Sequence, residues 1–266
     1  GKILGMIFEK SSMRTRVSFE VAMLQLGGHA IYLTQNDINL GKREAVKDGA
    51  KVLSRYVEGI VIRTFGQDTI QELARYASIP VINALSDYLH PCQALTDMYT
   101  IKEKFGTYGG IKIAFIGDGN NVARSLAQIC AKLGLHFYVA SPKGYELTSD
   151  FIAKTKQMAD GKDIIHLYQD PKDVTKNAHV LYTDTWVSMG QEAEKEARQQ
   201  AFRGFQINND ILKLAKDDVK VMHCLPAHRG EEITDEVIDG PHSVVYDQAE
   251  NRLHVEKALL KLLLRK

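Results

Sequence analysis

Cysteine is scarce in this chain: Cys92, Cys130 and Cys224 are odd in number and far apart along 266 residues. Such a set builds no disulfide framework and points to a reducing compartment. An excess of charge is missing too, since 34 Lys and Arg stand against 33 Asp and Glu for a formal net charge of +1. That balance excludes the basic footprint of a nucleic-acid binder. No apolar run approaches the ~18 residues that a membrane span needs. The run Leu259-Leu260 with Leu262-Leu263-Leu264 reads as the packed face of a terminal helix, not an anchor. Short-period repeats and low-complexity tracts are also absent. The sequence opens at Gly1-Lys2 without a Met, a signal peptide or a leading helix. The expectation is therefore a fragment or processed form, cytoplasmic, or from an organellar matrix if a transit peptide has been removed.

What is present is an alternation. Apolar runs of strand length recur at Ile3 to Phe8, Ala30 to Leu33, Gly59 to Ile62, Pro80 to Asn83, Lys112 to Gly117, His136 to Ala140, Asp163 to Leu167, His179 to Thr183 and Val219 to His223. Amphipathic segments of helix length separate them. This rhythm predicts an α/β fold of two doubly wound parallel-sheet lobes, with helices on both faces and the active site in the cleft between the lobes. The Gly-rich stretch Lys104 to Gly110, after a long helix from Pro91, is the expected boundary. The reading is residues 1–105 for the first domain, 106–246 for the second, and 247–266 for a C-terminal helix returning to the first.

Polar motifs stand where such sheets bind ligands, at the carboxyl ends of strands. Ser12-Met13-Arg14-Thr15-Arg16 follows the first strand and opens a helix. Free backbone N–H groups, the positive end of the helix dipole, the Ser12 and Thr15 hydroxyls and two guanidiniums are expected to converge there on an anion. A plain N-cap serine with solvated arginines is the alternative. Arg63 ends the third strand, and His90-Pro91-Cys92-Gln93 follows the fourth, with His90 and Gln93 on one face of a helix start. Gly117-Asp118-Gly119-Asn120-Asn121, Asp184 to Gly190 and His223-Cys224-Leu225-Pro226 end three strands of the second lobe.

The G-x-G at Gly117 and Gly119 is no dinucleotide fingerprint. Its third glycine is missing and the next strand ends in Ser141 without the ribose-binding acid. A tight turn presenting Asn121 to a polar ligand is the better reading. A zinc site from His90, Cys92, His223 and Cys224 lacks any CxxC or HxxxH pair. Cys130 reads as helix core, and His136, His166, His179 and Trp186 as structural. Cys224, at a strand end, is read as a site residue, with buried packing as its alternative.

Taken together, S-M-R-T-R at Ser12 to Arg16, H-P-C-Q at His90 to Gln93, D-T-W-V-S-M-G at Asp184 to Gly190 and H-C-L-P at His223 to Pro226 closely resemble ornithine carbamoyltransferase, over essentially the whole chain and in the family's order. The resemblance implies transfer of a carbamoyl group from carbamoyl phosphate to L-ornithine, giving citrulline, without metal or cofactor. It also implies a homotrimer or a multiple of trimers, with no nucleic-acid or membrane partner. Carried over by motif, Ser12, Met13 through its N–H, Arg14 and Thr15 would hold the phosphate. Arg63, His90 and Thr15 would polarise the carbonyl, Gln93 would address the amide and Arg252 would close over the same group. Asn121, Asp184, Ser188 and Met189 would grip the α-amino and α-carboxylate of ornithine, with Cys224 and Leu225 facing its δ-amine. Arg63, His90, Asp184, Cys224 and Arg252 would carry the catalysis. Met13 stands where many relatives carry threonine, and Asn39 where the family's glutamine reaches the phosphate of a neighbouring subunit. The resemblance further implies an N-terminal helix ahead of the first strand that this sequence does not carry, and apolar surface exposed in its place. The expected alternatives are a carbamoyltransferase acting on putrescine or acylated ornithine, and a noncatalytic carbamoyltransferase-like subunit.

Overall fold

A computed structural model describes residues 1–264. In chain order the first part carries β1 (Ile3–Phe8), α1 (Met13–Gln25), β2 (His29–Thr34), α2 (Val46–Leu53), β3 (Gly59–Arg63), α3 (Gln67–Tyr76), β4 (Val81–Leu85) and α4 (Pro91–Phe105). There follow β5 (Ile113–Ile116), α5 (Asn121–Leu133), β6 (Phe137–Ala140), α6 (Ser149–Met158), β7 (Ile165–Tyr168), α7 (Pro171–Thr175) and β8 (Val180–Thr183). The last elements are α8 (Lys195–Ala201), α9 (Asn209–Leu212), β9 (Lys220–His223), α10 (Asp235–Ile238) and α11 (Val245–Leu263). Each strand coincides with one of the apolar runs.

Two compact units result: Gly1–Thr96 with the residues from Glu250 on, and Asp97–Ala249. The division falls inside α4 and α11, not at the Gly-rich loop. Helix α4 runs unbroken for 15 residues, and its Asp97 accepts from Gln248 of α11 at 2.7 Å, which places the residues from Asp97 in the second unit. Helix α11 begins at Val245, before the expected start at residue 247; Arg265 and Lys266 of the expected helix lie outside the described residues.

The first unit is a parallel sheet in the order β2-β1-β3-β4. Side chains alternate across it. Leu4, Met6 and Phe8 of β1 with Val61 of β3 bury against Phe19, Ala22 and Met23 of α1 and Leu260 of α11. Ile7, Ile60 and Ile62 pack on the opposite face with Val46 and Ala50 of α2 and Ile70 and Leu73 of α3. Buried on both faces, these strands must be continuously apolar, as their sequences are. Each fully buried Leu, Ile, Met or Phe contributes about 1.5–3 kcal/mol. The second unit is a parallel sheet in the order β7-β6-β5-β8-β9. Ala114, Ile116, Leu181 and Val221 face a cluster that includes Val174, Phe202 and Ile233. Phe115, stacked on Tyr182 with centroids 5.6 Å apart, is buried too.

Each sheet therefore reverses its winding direction once. The switch points lie between β1 and β3 in the first unit and between β5 and β8 in the second. At such a point the loops leave in opposite directions and open a crevice at the carboxyl ends of the strands.

Candidate functional site

At the first switch point, Ser12 caps α1 in an extended conformation; its Oγ accepts from the Thr15 N–H at 3.3 Å and donates to Thr15 Oγ1 at 3.0 Å. No acid stands in the first turn of α1 to compensate the dipole, so its free N–H groups favour an anion. The Met13 side chain is 72% exposed and leaves the helix start to its backbone. The expected convergence of two guanidiniums does not occur. Arg16 Nε donates to Glu20 at 2.9 Å and its guanidinium lies 3.9 Å over the Tyr32 ring, a spacing of two on the helix pointing it away from Arg14.

Arg63 comes from the far side of the same switch point. The β3–β4 ladder slips there, so that Arg63 lies opposite Leu85 where Ala84 would continue the register. An irregularity of this kind at a strand end re-aims the side chain. His90, whose carbonyl accepts from Gln93 and Ala94 at the head of α4, is buried. Burial, and then the cations Arg252, Arg63 and Arg14, hold its imidazole well below the usual histidine range. At neutral pH it is a neutral ring that can donate one N–H. Gln93 Oε1 accepts from Arg252 Nη1 at 2.8 Å, and Arg252 Nη2 reaches Thr15 Oγ1 at 3.3 Å. Ser12, Arg14, Thr15, Arg63, His90, Gln93 and Arg252 are thus joined through hydrogen bonds or charge in one unit. Asn39 lies apart, in the turn between β2 and α2, where its carbonyl accepts from the N–H groups of Lys42 and Arg43. Cys92 is core: burial pushes its thiol up to about 12, and it donates to the Asn83 carbonyl at 3.4 Å.

At the second switch point, Gly117 has φ +153 and a Cβ on Gly119 would lie 2.6 Å from the Glu146 and Leu147 backbone. Loop packing, not a pyrophosphate, accounts for this glycine pair. Asn120 then caps α5, accepting from Val122 N and Ala123 N at 3.0 and 3.1 Å, and its Nδ2 donates to Asp184 Oδ2 at 2.7 Å across the switch point. The first asparagine, Asn120, is therefore part of the constellation, while the carbonyl of Asn121 accepts from Ser125 Oγ within α5. An Asn just before an amphipathic helix is a capping signal, but its bond to Asp184 is invisible without the topology.

Asp184 follows β8 and Cys224 follows β9, the neighbouring strand; the thiol donates to Asp184 Oδ1 at 3.1 Å. His223 holds that turn. Its Nδ1 accepts from Leu225 N at 2.8 Å, so the ring proton sits on Nε2 and is donated to buried Glu232 at 3.0 Å. Leu225 is left-handed, with φ +57, ahead of a cis Pro226. Ser188 N donates to Gln191 Oε1 at 3.1 Å in the loop after β8, and Met189 is exposed. That loop is anchored by a residue the motifs do not contain. Arg198 of α8 donates to Asp118 at 2.7 Å and to the Trp186 carbonyl at 3.1 Å. Burial raises the Asp118 pKa and Arg198 opposes the rise.

Two donor groups among the described residues are close enough for an ion, Asp184-His223-Cys224 and His228-Glu231-Glu232. In the first, Leu225 N–H and Glu232 occupy both nitrogens of His223; in the second, His223 and the His228 N–H already bond Glu232 Oε1. Elsewhere His136 and His166 bond each other at 2.8 Å, His179 accepts from Lys112 N at 3.0 Å, Trp186 is core, and burial pushes the Cys130 thiol up to about 12.

Two parallel α/β units, each gathering its polar side chains at its own switch point, define a protein that binds small polar molecules, one half-site to a unit. Residues 1–103 match the family model of the aspartate/ornithine carbamoyltransferase carbamoyl-P binding domain, and residues 109–263 that of the Asp/Orn binding domain. The chain belongs to the aspartate/ornithine carbamoyltransferase family. It is 56% identical over 265 residues to the ornithine carbamoyltransferase of Pyrococcus abyssi, covering 99% of this chain and 84% of that one. To the Bacillus subtilis enzyme of the same name it is 55% identical over 268 residues, covering 100% of this chain and 84% of that one. The solved ornithine carbamoyltransferase of Pyrococcus furiosus superposes with a TM-score of 0.95 at 55% identity, over 99% of this chain and 85% of that one. Among the described residues no helix is long and apolar enough to cross a membrane.

Proposed function

We propose that this chain transfers the carbamoyl group of carbamoyl phosphate to the δ-amine of L-ornithine, giving L-citrulline and phosphate. The observation that carries the reading is the Asp184–Cys224 pair, held at 3.1 Å on adjacent strands beside the S-M-G loop, in a chain matched over nearly its whole length by enzymes of that name. The anionic end of carbamoyl phosphate sits on Ser12, the Met13 N–H, Arg14 and Thr15. Arg63, Thr15 and neutral His90 donate to the carbamoyl oxygen as it gains charge, Gln93 addresses the amide, and Arg252 closes the set. Asn121, Asp184, Ser188 and the Met189 backbone take the α-amino and α-carboxylate groups, leaving Cys224 and Leu225 at the δ-amine.

The chemistry needs a neutral nucleophile. A lysine-like amine of pKa ~10.4 costs about 4–5 kcal/mol to deprotonate at pH 7. Nitrogen attacks the carbonyl carbon, the bond to the phosphate oxygen breaks, and the proton leaves by way of Asp184 and Cys224 to the departing phosphate. Preorganised donors supply the rest, so the step uses no metal or cofactor.

Further parts of the reading rest on the motifs. The first unit is the carbamoyl-phosphate domain and the second the ornithine domain, with the chain returning to the first unit from Glu250 within α11. The assembly is a homotrimer or a multiple of it, Asn39 serving a neighbouring subunit's phosphate site. The compartment is the cytoplasm or an organellar matrix. The reaction belongs to arginine biosynthesis; a 55% identical relative from Pyrococcus furiosus is named anabolic.

The test is citrulline formation from carbamoyl phosphate with ornithine, set against putrescine and acylated ornithine as acceptors. Ornithine is the expected acceptor, a bisubstrate analogue with phosphonate and ornithine ends binds tightly, and Arg14→Ala or Arg63→Ala loses more than the ~1.5–3 kcal/mol of one charged hydrogen bond in kcat/KM for carbamoyl phosphate. No turnover by folded protein, or a preference for putrescine, overturns the reading.

A further inference from the structure

Glu256 lies one turn after Arg252 on α11 and is fully buried. Its Oε1 accepts from Arg252 Nε at 2.9 Å and from Arg252 Nη2 at 2.6 Å, while Oε2 accepts from Ser18 of α1. Arg252 in turn donates to Gln93 of α4 and to Thr15 at the start of α1. One carboxylate therefore fixes the guanidinium that reaches two residues of the first half-site. A buried ion is tolerated only when it is paired and hydrogen-bonded, and Glu256 meets both conditions through Arg252 of that half-site and Ser18 of α1.

The location is uneconomical for stability. Replacing a buried ion pair by apolar residues of similar volume is often neutral or stabilising, so a core position between two helices gives Glu256 no reason to be charged. Its orientation supplies one. Without it the Arg252 side chain would be free among several rotamers, and in a low-dielectric site beside Arg14 and Arg63 it would turn toward any bound anion. With it, Nη1 stays on the Gln93 amide oxygen and Nη2 on the Thr15 hydroxyl.

We infer that Glu256 is a positioning residue for carbamoyl transfer: it holds Arg252 on Gln93 and Thr15, at the carbamoyl end of the half-site, and keeps it from serving as one more phosphate ligand. The inference rests on the function proposed above. Charge supports it. Arg14, Arg63 and Arg252 bring three cations to a neutral His90; burial raises the Glu256 pKa, the Arg252 guanidinium and the Ser18 hydroxyl oppose that rise, and the carboxylate so held leaves two cations, the number that matches a phosphate dianion.

The experiment compares wild type, Glu256→Ala, Glu256→Gln and Ser18→Ala in the citrulline assay, with inorganic phosphate as a competitive inhibitor and thermal unfolding as the fold control. Wild-type turnover settles the proposed function by itself, so its failure is read separately. With active wild type, Glu256→Ala is expected to lose about tenfold or more in kcat, the scale of one charged hydrogen bond, while phosphate inhibits as strongly or more strongly and the KM for ornithine stays within about twofold. Glu256→Gln, which still offers an acceptor to Arg252, restores most of kcat. An unchanged kcat in folded Glu256→Ala overturns the inference, as does phosphate inhibition that weakens in step with kcat, the mark of a half-site that has merely loosened. Where Glu256→Ala does not fold, Ser18→Ala decides: it frees Oε2 and is expected to lower kcat about threefold with phosphate inhibition kept, and an unchanged kcat there overturns the inference.

Discussion

Asn120 performs two tasks with one side chain, and substitution can separate them. Its Oδ1 caps α5 through two backbone N–H groups, and its Nδ2 donates to Asp184 at 2.7 Å. Asn120→Ala removes both, a cap worth about 1 kcal/mol and a hydrogen bond to a charged group worth about 1.5–3, so unfolding in urea should show a loss of about 2–4 kcal/mol. Asn120→Asp keeps the cap, because aspartate caps as well as asparagine does. It also sets a second carboxylate against Asp184. At 2.7 Å and an effective dielectric of about 20, like charges repel by about 6 kcal/mol, so the introduced carboxyl takes up a proton in the folded state. A carboxyl whose folded pKa is raised loses stability as pH rises from its unfolded value of about 3.9 through the folded one. Asn120→Asp should therefore match wild type near pH 4 and fall behind it toward neutrality, and its KM for ornithine should rise over the same range. Equal stability and equal KM for Asn120→Asp and wild type at pH 8 would refute the assigned bond.

Three more outcomes are expected. His90 is held neutral by burial and three guanidiniums, so its contribution to stability is full above pH ~6.5 and is lost as pH falls toward its folded pKa; His90→Gln should remove that part of the slope in urea unfolding between pH 7 and pH 5. Of the three thiols, Cys92 and Cys130 are held near 12 by burial while Cys224 is half-buried, so iodoacetamide should label Cys224 alone in the folded protein, as read by peptide mass, and label at Cys92 or Cys130 would contradict the packing. Arg198→Ala leaves Asp118 a buried acid without its cation and should cost about 3–5 kcal/mol in unfolding, with the KM for ornithine raised as the Trp186 loop is released.

The sequence by itself determined the strands, the alternation and the order of the polar motifs. Sheets buried on both faces demand unbroken apolar runs, and turns at strand ends demand small and polar residues; both leave local signatures, at Ile60-Val61-Ile62 and Gly117 to Asn121 alike. It also determined the family, because Asp184 to Gly190 and His223 to Pro226 are contiguous motifs. Only the tertiary structure decided which side chains meet. Strand order is a choice among long-range pairings, and it alone puts Asn120 against Asp184 across one switch point and Arg63 beside α1 at the other. It turned Arg16 away to Glu20 and Tyr32, since residues two apart on a helix point in nearly opposite directions and cannot share a face. And it made Glu256, a residue no motif contains, the counterion of Arg252: spacing of four on a helix permits that pair, but only the burial of α11 against α1 and α4 makes it orient a site.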